Sequence, residues 1–99
     1  MTVEVSSRAR KSLRKAPRHV AASFLLWKRE VEQHGVDVVR RIAGYHDEPL
    51  KGRLRGLRSA RLGRGYRVFY RVWEGGPAVL TVEDVNKHDY KAIERLLGR

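Results

Sequence analysis

The side chains with the greatest chemical potential in this sequence are cations that lie close together. Between Glu48 and Glu74 the chain has no acidic residue. A guanidinium group can bind two phosphate oxygens at once, and ammonium groups add positive charge beside it. The interval therefore predicts a surface that faces phosphate groups. Its basic residues are Lys51, Arg53, Arg55, Arg58, Arg61, Arg64, Arg67 and Arg71.

The charge of the whole chain indicates the same kind of partner. Lysine and arginine number 22, and aspartate and glutamate 11, which gives a formal net charge of +11 in 99 residues. Charge of this size attracts polyanions, and nucleic acid is therefore the expected partner. Charge alone leaves two other interpretations open: a solvated basic face, and a surface that binds RNA without chemistry.

The residues present disfavour two other classes of site. The chain has no cysteine, which removes disulfides, thiolate metal sites and cysteine nucleophiles together. His46, Asp47 and Glu48 carry groups that bind metals, but three adjacent residues in a loop rarely converge on one ion. We expect neither a bound metal nor another cofactor.

Hydrophobic periodicity predicts a strand and two helices in the first third of the chain. Residues 2–5 alternate as a strand does, and Ser6 or Ser7 can cap the helix that follows. Pro17 ends this short helix and fits the first turn of a second one, which Gly35 ends. The apolar stripe of the second helix consists of Val20, Phe24, Trp27 and Val31.

The rest of the chain predicts an antiparallel sheet. The clearest strand is 66–73, because its two faces differ in residue type. The face with Val68 and Tyr70 is expected to pack on the helices, and the face with Arg67 and Arg71 to display arginine. Other elements are expected at 37–44 (a helical turn), 45–49 (a surface loop), 58–62 and 78–85 (strands) and 89–97 (a closing helix).

These elements define one α+β domain over residues 1–99. The N-terminal strand and the helical hairpin pack on a small antiparallel sheet, and a short helix closes the chain. No apolar run approaches the ~20 residues needed to span a bilayer, and the N-terminus lacks the pattern of a signal peptide. We therefore expect a cytoplasmic protein that does not associate with membranes.

Four segments of the second half carry a family resemblance. They are Glu48-Pro49-Leu50-Lys51, Gly56 with Ser59-Ala60-Arg61, Tyr66-Arg67-Val68-Phe69-Tyr70, and His88-Asp89-Tyr90. Together they resemble the RelE/ParE toxin superfamily, and the stretch from Glu48 to Tyr70 is most similar to the YoeB-like mRNA interferases. The resemblance implies a RelE-like fold and a type II toxin that cuts ribosome-bound mRNA without a metal. It also implies an acidic antitoxin, encoded by a neighbouring gene, as a partner.

The resemblance further implies how the work of RNA cleavage is divided. The RNA 2′-hydroxyl attacks the adjacent phosphorus, so the protein must supply a base, a cation for the phosphorane and an acid for the departing 5′ oxygen. Glu48 is expected as the base, Arg67 as the cation and His88 as the acid. Tyr90 is a further catalytic candidate, which could bond a phosphate, stack on a base or merely pack. The residues expected to bind RNA backbone phosphates are Lys51, Arg53, Arg55, Arg58, Arg61 and Arg71.

Alternatives to these roles stay open at this point. Glu48 could be a loop carboxylate in a surface ion pair, and His88 a surface or helix-capping histidine. Asp89 separates His88 from Tyr90, which departs from the YoeB-like pattern. Two other functions also fit the sequence. One is a non-enzymatic toxin that poisons DNA gyrase, as in the ParE branch, and the other is a basic module that binds RNA and ribosomes and cuts nothing.

Overall fold

The computed structural model of the chain describes residues 1–63, 65–87 and 90–97 and confirms the α+β class. The helices and strands follow one another in an order close to the predicted one. Two short 3-10 helices lie at Ala43–Tyr45 and Gly52–Leu54. The principal elements are β1 (Thr2–Val5), α1 (Ser7–Lys15), α2 (Arg18–His34), α3 (Val36–Val39), β2 (Glu48–Pro49), β3 (Leu57–Arg61), β4 (Arg67–Trp73), β5 (Val79–Asn86) and α4 (Tyr90–Leu97).

The helical hairpin forms as its local sequence predicts. Ser6 caps α1, because its side-chain oxygen accepts a hydrogen bond of 3.0 Å from the backbone N–H of Ala9. Gly35 ends α2 at φ 84°, a backbone conformation that costs glycine little. The predicted apolar stripe of α2 is buried, because all four of its side chains belong to the core cluster that the helix forms with the sheet. Those residues are Val20, Phe24, Trp27 and Val31.

The sheet has five strands in the order β1-β5-β4-β3-β2. The pairings of β2 with β3, β3 with β4 and β4 with β5 are antiparallel, as expected. The N-terminal strand joins this antiparallel sheet at its edge, and its pairing with β5 is parallel, a direction that the sequence did not predict. Parallel neighbours need a long connection, and residues 6–78 lie between β1 and β5.

A β-bulge explains why β5 alternates less regularly than β4. The register pairs Phe69 with Asp84 but Tyr70 with Val82, so β5 has one extra residue at this point. The extra residue returns both Val82 and Val85 to the helix side of the sheet, although they lie three positions apart, which in a regular strand would place them on opposite faces. The bulge therefore keeps the core continuous along β5.

Asp84, also at the bulge, joins the sheet to α1. Its carboxylate is buried and accepts hydrogen bonds from Ser12 Oγ at 2.6 Å and from Arg8 Nε at 3.2 Å. The backbone N–H of Val85 donates to the same carboxylate at 2.8 Å. A buried carboxylate is costly unless donors surround it, and these contacts fix α1 over β5.

Apolar side chains are buried on both faces of the sheet. On one face, the helices pack over Val68 and Tyr70, as expected. On the other face, Phe69 is fully buried and belongs to a second cluster that includes Ile93 of α4. The expectation that this second face simply displays arginine is therefore wrong, because α4 and the Gly52–Leu54 turn cover its centre. The second cluster consists of Leu50, Leu54, Leu57, Phe69 and Ile93.

A short edge strand occupies part of the segment expected to be a surface loop. Glu48 pairs with Ser59 and Pro49 with Arg58 in the antiparallel β2–β3 ladder. The backbone N–H of Leu50 continues this ladder by donating to Leu57 O at 2.9 Å. In the part of the chain that the structure describes, no helix has the length and apolar character needed to cross a membrane.

The second cluster should contribute strongly to stability. We predict that Phe69→Ala lowers the free energy of unfolding by about 3–5 kcal/mol, because it removes a fully buried aromatic ring and leaves a cavity. Leu25→Ala is the control, since Leu25 is 59% exposed and should lose less than about 1 kcal/mol. Urea unfolding of both variants checks the difference. Equal losses would show that the second cluster is poorly packed.

Candidate active site

Glu48 lies at the open edge of the sheet, on β2. Its backbone pairs with Ser59, and the residue is exposed. Among the residues the structure describes, no hydrogen bond or ion pair involves the Glu48 carboxylate. The alternative of a carboxylate held in a surface ion pair therefore has no partner within that part of the chain. An exposed carboxylate of this kind is accessible to a substrate hydroxyl.

The sheet register places the predicted base and two cations on the same face. Cross-strand neighbours in an antiparallel ladder point to the same side, as do alternate residues of one strand. Glu48 pairs with Ser59, and Arg61, two residues further along β3, pairs with Arg67. Glu48, Ser59, Arg61 and Arg67 therefore share the face that also carries the second cluster.

Arg67 is buried, which corrects the expectation that it lies on an exposed strand face. The residue is only 3% exposed. Its Nε donates to Ser59 Oγ at 2.8 Å, and its Nη2 donates to Ser59 O at 2.9 Å and to His46 O at 2.6 Å. The side chain crosses β3 and reaches the residue that comes two positions before Glu48. The physical reason is that a guanidinium withdrawn from water needs acceptors, and this corner of the sheet provides three.

His46 adopts the left-handed backbone conformation, with φ 44° and ψ 48°. This conformation is uncommon for residues other than glycine. The carbonyl of His46 accepts the hydrogen bond from Arg67. Arg67 therefore contacts the sharp turn through which the chain enters β2.

Asp47 anchors the same segment to the opposite face of the sheet. Its side chain is 1% exposed and accepts a hydrogen bond of 2.7 Å from Arg58 Nε. The hydroxyl of Tyr70 donates to the other carboxylate oxygen. Arg58 and Tyr70 are cross-strand neighbours, so both donors come from one position of the β3–β4 ladder.

The role expected for Arg58 changes as a result. Its side chain is 24% exposed and forms an ion pair with Asp47, so it does not stand free on a phosphate-facing surface. Burial alone would lower the pKa of Arg58, but the hydrogen bond and the negative charge of Asp47 outweigh burial and raise it. Burial raises the pKa of Tyr70, and the hydrogen bond and charge of Asp47 raise it further against the opposing charge of Arg58. The cluster is thus an ionic pair bonded to a neutral phenol.

The other residues predicted to bind RNA differ in their exposure. Lys51, Arg53, Arg55 and Arg61 are exposed. Arg71 is half-buried, and its guanidinium carbon lies 5.6 Å from the ring centroid of Trp73, a cation–π contact. The indole N–H of Trp73 donates to Thr81 Oγ1 at 2.8 Å. Gly56 makes room for Arg71, because a Cβ there would lie 3.0 Å from Nη1.

Two of the four predicted catalytic side chains fall outside the described structure. His88 lies between the described ranges, and Tyr90 begins α4 without a described side chain. Within the described ranges, no group of three or more metal-binding side chains is placed to hold an ion. The structure thus locates Glu48 and Arg67, and the proposed roles of His88 and Tyr90 rest on the sequence.

The Asp47 cluster is not predicted by the sequence. Asp47 stands out there only as a possible metal-binding group, and Tyr70 only as a residue of the buried strand face and of the family-resemblance segment. One signal was available: a tyrosine on the buried face of a strand needs a partner for its hydroxyl. The partner itself could not be identified, because 23 residues separate Asp47 from Tyr70.

The five-stranded sheet with a helical hairpin on one face is the architecture of the RelE/ParE toxin superfamily, and this confirms the resemblance found in the sequence. The sequence profile described as the ParE toxin of the type II toxin–antitoxin system parDE matches residues 3–90. The chain belongs to this family of toxins. No protein with a curated description matches the chain significantly.

Solved toxin structures share the fold at low sequence identity. YafQ from E. coli strain BL21(DE3) superposes with a TM-score of 0.72 and 16% identity, covering 90% of this chain and 94% of its own. A YoeB/ParE toxin from Agrobacterium tumefaciens gives 0.69 and 20%, covering 89% and 99%. The RelBE2 toxin–antitoxin complex from Mycobacterium tuberculosis gives 0.66 and 25%, covering 88% and 96%. The similarity extends over nearly the whole chain in each case.

Burial changes what a substitution of Arg67 should do. We predict that Arg67→Ala lowers the free energy of unfolding by about 3 kcal/mol, because it leaves Ser59 and His46 oxygens without their donor. Arg61→Ala is the matched control, since Arg61 is exposed on the neighbouring strand and should change stability by less than about 0.5 kcal/mol. Urea unfolding measures both. A fully stable Arg67→Ala would mean that the three hydrogen bonds contribute nothing net.

Two of the four tyrosines should titrate late. Burial and a hydrogen bond to Glu30 raise the pKa of Tyr45, and burial with Asp47 raises that of Tyr70. Tyrosines of the unfolded chain ionise at about pH 10. The stability that each folded phenol contributes is therefore fully present below that pH and is lost as the pH rises through its raised pKa. We predict that ultraviolet titration of the folded protein leaves both phenols protonated at about pH 11. Tyr70→Phe should reduce the absorbance change seen above that pH, because it removes one of the two late phenols; an unchanged late absorbance change would contradict the assignment.

Proposed function

We propose that this toxin is a metal-independent endoribonuclease that cuts ribosome-bound mRNA and thereby inhibits translation. The observation that carries the proposal is the placement of Glu48. Its carboxylate is exposed on the face that also carries Arg61 and Arg67, at the edge of a surface with no acidic residue between Glu48 and Glu74. A base that stands beside fixed positive charge is what phosphodiester cleavage by an internal hydroxyl requires.

The reaction balances without water or an added co-reactant. Glu48 takes the proton of the RNA 2′-hydroxyl, and the 2′ oxygen forms a bond to the adjacent phosphorus. The bond from phosphorus to the 5′ oxygen breaks, which leaves a 2′,3′-cyclic phosphate. The departing oxygen receives a proton from an acid, for which we propose His88, with Tyr90 in a supporting role. The products are the cyclic phosphate and a free 5′-hydroxyl.

The phosphorane oxygens carry negative charge in the transition state, and we assign the stabilisation of that charge to Arg67 and Arg61. Arg67 is already oriented by its three hydrogen bonds, so its charge needs no rearrangement when the transition state forms. Arg61, directly opposite on β3, is exposed and free to contact a phosphate oxygen. The buried cation would act through its field, and the exposed one by contact.

We assign the binding of RNA backbone phosphates to cations near the site. Lys51, Arg53 and Arg55 follow β2 and are exposed, and half-buried Arg71 lies beyond them beside Trp73. Such contacts position a strand without reading its sequence. Arg58 is left out of this path because Asp47 already neutralises it.

The proposed partners are the ribosome, its bound message and an acidic antitoxin, all in the cytoplasm. The solved relatives include two toxin–antitoxin complexes, RelBE2 from M. tuberculosis and DinJ–YafQ from E. coli. A net charge of +11 favours an oppositely charged segment over the same surface that would bind RNA.

A second candidate is a non-enzymatic toxin that poisons DNA gyrase. The observation that favours it is the match of residues 3–90 to the ParE profile. The burial of Arg67 fits as well, because a cation engaged by the protein's own oxygens has a structural task without any substrate.

Glu48 and Glu74, the two glutamates that flank the interval without acidic residues, provide the test. We predict that Glu48→Gln lowers the single-turnover rate of message cleavage by about 10²-fold or more, because it removes the base. Glu74→Gln changes a second exposed glutamate and should cut at the parental rate. Cleavage is measured on ribosome-bound mRNA by mapping new 5′ ends, with circular dichroism to check folding. Arrested replication with intact message would instead support the gyrase poison.

A further inference from the structure

The segment that carries Glu48 is fixed from both faces of the sheet. On the face shared with Glu48, Arg67 Nη2 donates to His46 O at 2.6 Å. On the helix-bearing face, Arg58 and Tyr70 donate to the Asp47 carboxylate. Between these contacts the backbone of Glu48 pairs with Ser59. Each of the three consecutive residues from His46 to Glu48 is thus attached to β3, to β4 or to both strands.

The two attachments differ in kind, because Arg67 holds a backbone carbonyl whereas the helix-bearing face holds a side chain of the segment itself. The Asp47 contact joins a side chain with 1% exposure to a guanidinium and a fully buried phenol. Charge-assisted hydrogen bonds in such surroundings are shorter and stronger than neutral ones. The strand itself is only two residues long and includes a proline. So short a strand cannot fix its own orientation, and Asp47 is the side chain that joins its first residues to the core.

We propose that Asp47 is a positioning residue, which through Tyr70 and Arg58 sets the direction of the Glu48 carboxylate. Side chains of consecutive extended residues point to opposite faces. Holding Asp47 against Tyr70 therefore directs Glu48 to the face with Arg61 and Arg67. Asp47 does not touch substrate; it acts through its neighbour. The catalytic meaning of this role rests on the proposed ribonuclease function.

The central variant is Tyr70→Phe, which removes one hydroxyl from the cluster and keeps the ring in the core. The rate at saturating protein should fall about tenfold or more, because small misplacements of a reacting group are costly. The concentration giving half the maximal rate should stay within about twofold, since no phosphate contact is lost. Tyr45→Phe is the matched control: it removes another tyrosine–carboxylate hydrogen bond, to Glu30, and should leave the rate unchanged.

Arg58 separates positioning from RNA binding. Arg58→Gln should lower the maximal rate and spare the half-saturating concentration, and Arg58→Lys, which keeps the charge beside Asp47, should recover most of the rate. The opposite pattern, weaker binding with an unchanged maximal rate, would return Arg58 to the phosphate surface and overturn the proposal. In a Glu48→Gln background, Tyr70→Phe should cause no further loss of rate, because both changes act on the same group.

Hydrogen exchange provides a readout that does not depend on activity. In Tyr70→Phe, the backbone amides of residues 46–48 and 50 should exchange about tenfold faster, as expected from one lost hydrogen bond, while α2 keeps its protection. Faster exchange with an unchanged cleavage rate, or a lower rate without faster exchange, would refute the positioning role. A parent protein that cuts no message would refute the proposed function, and with it the positioning of a catalytic base by Asp47, whereas exchange would still report whether the cluster holds the segment.

Discussion

A buried guanidinium has to be surrounded by acceptors, and Arg67 imposes this requirement on the corner of the sheet where β2, β3 and β4 meet. Its hydrogen bonds reach Ser59 on the neighbouring strand and His46 beyond it. Without them, the withdrawn charge would cost several kcal/mol. The left-handed turn at His46 and the path of the chain into β2 both satisfy this one cation.

The same rule operates at two other places with carboxylates in place of the guanidinium. Asp47 is enclosed by Arg58 and Tyr70, and Asp84 by Arg8, Ser12 and the backbone of Val85. One cluster fixes the edge strand, and the other fixes α1. In a chain whose cations outnumber its acids two to one, these two acidic side chains are placed in the interior, where each joins separate elements.

What the sequence could predict was set by the range of the interactions involved. The stripe of α2, its end at Gly35 and the cap at Ser6 depend on neighbours within one or two turns, and all three were predictable. The exposure of Arg67 was not, because alternation shows which face a side chain occupies but not what covers that face. Here α4 and the turn before β3 cover its centre, and the backbone near His46 closes its corner. Glu48 was identified as a candidate, but the contacts that hold its segment join residues 11 and 23 positions apart.

Pro49 gives the edge of the sheet a property that reaches beyond the fold. Leu50 turns its N–H towards Leu57, and N–H groups alternate along a strand, so the ring nitrogen of Pro49 faces outwards. A further strand that paired with this edge would find no backbone N–H donor at Pro49, and β2 offers only two residues for pairing. Edge-to-edge pairing of two copies is therefore disfavoured along the border beside Glu48. A single proline thus makes this border a poor template on which a second copy of the chain could extend the sheet.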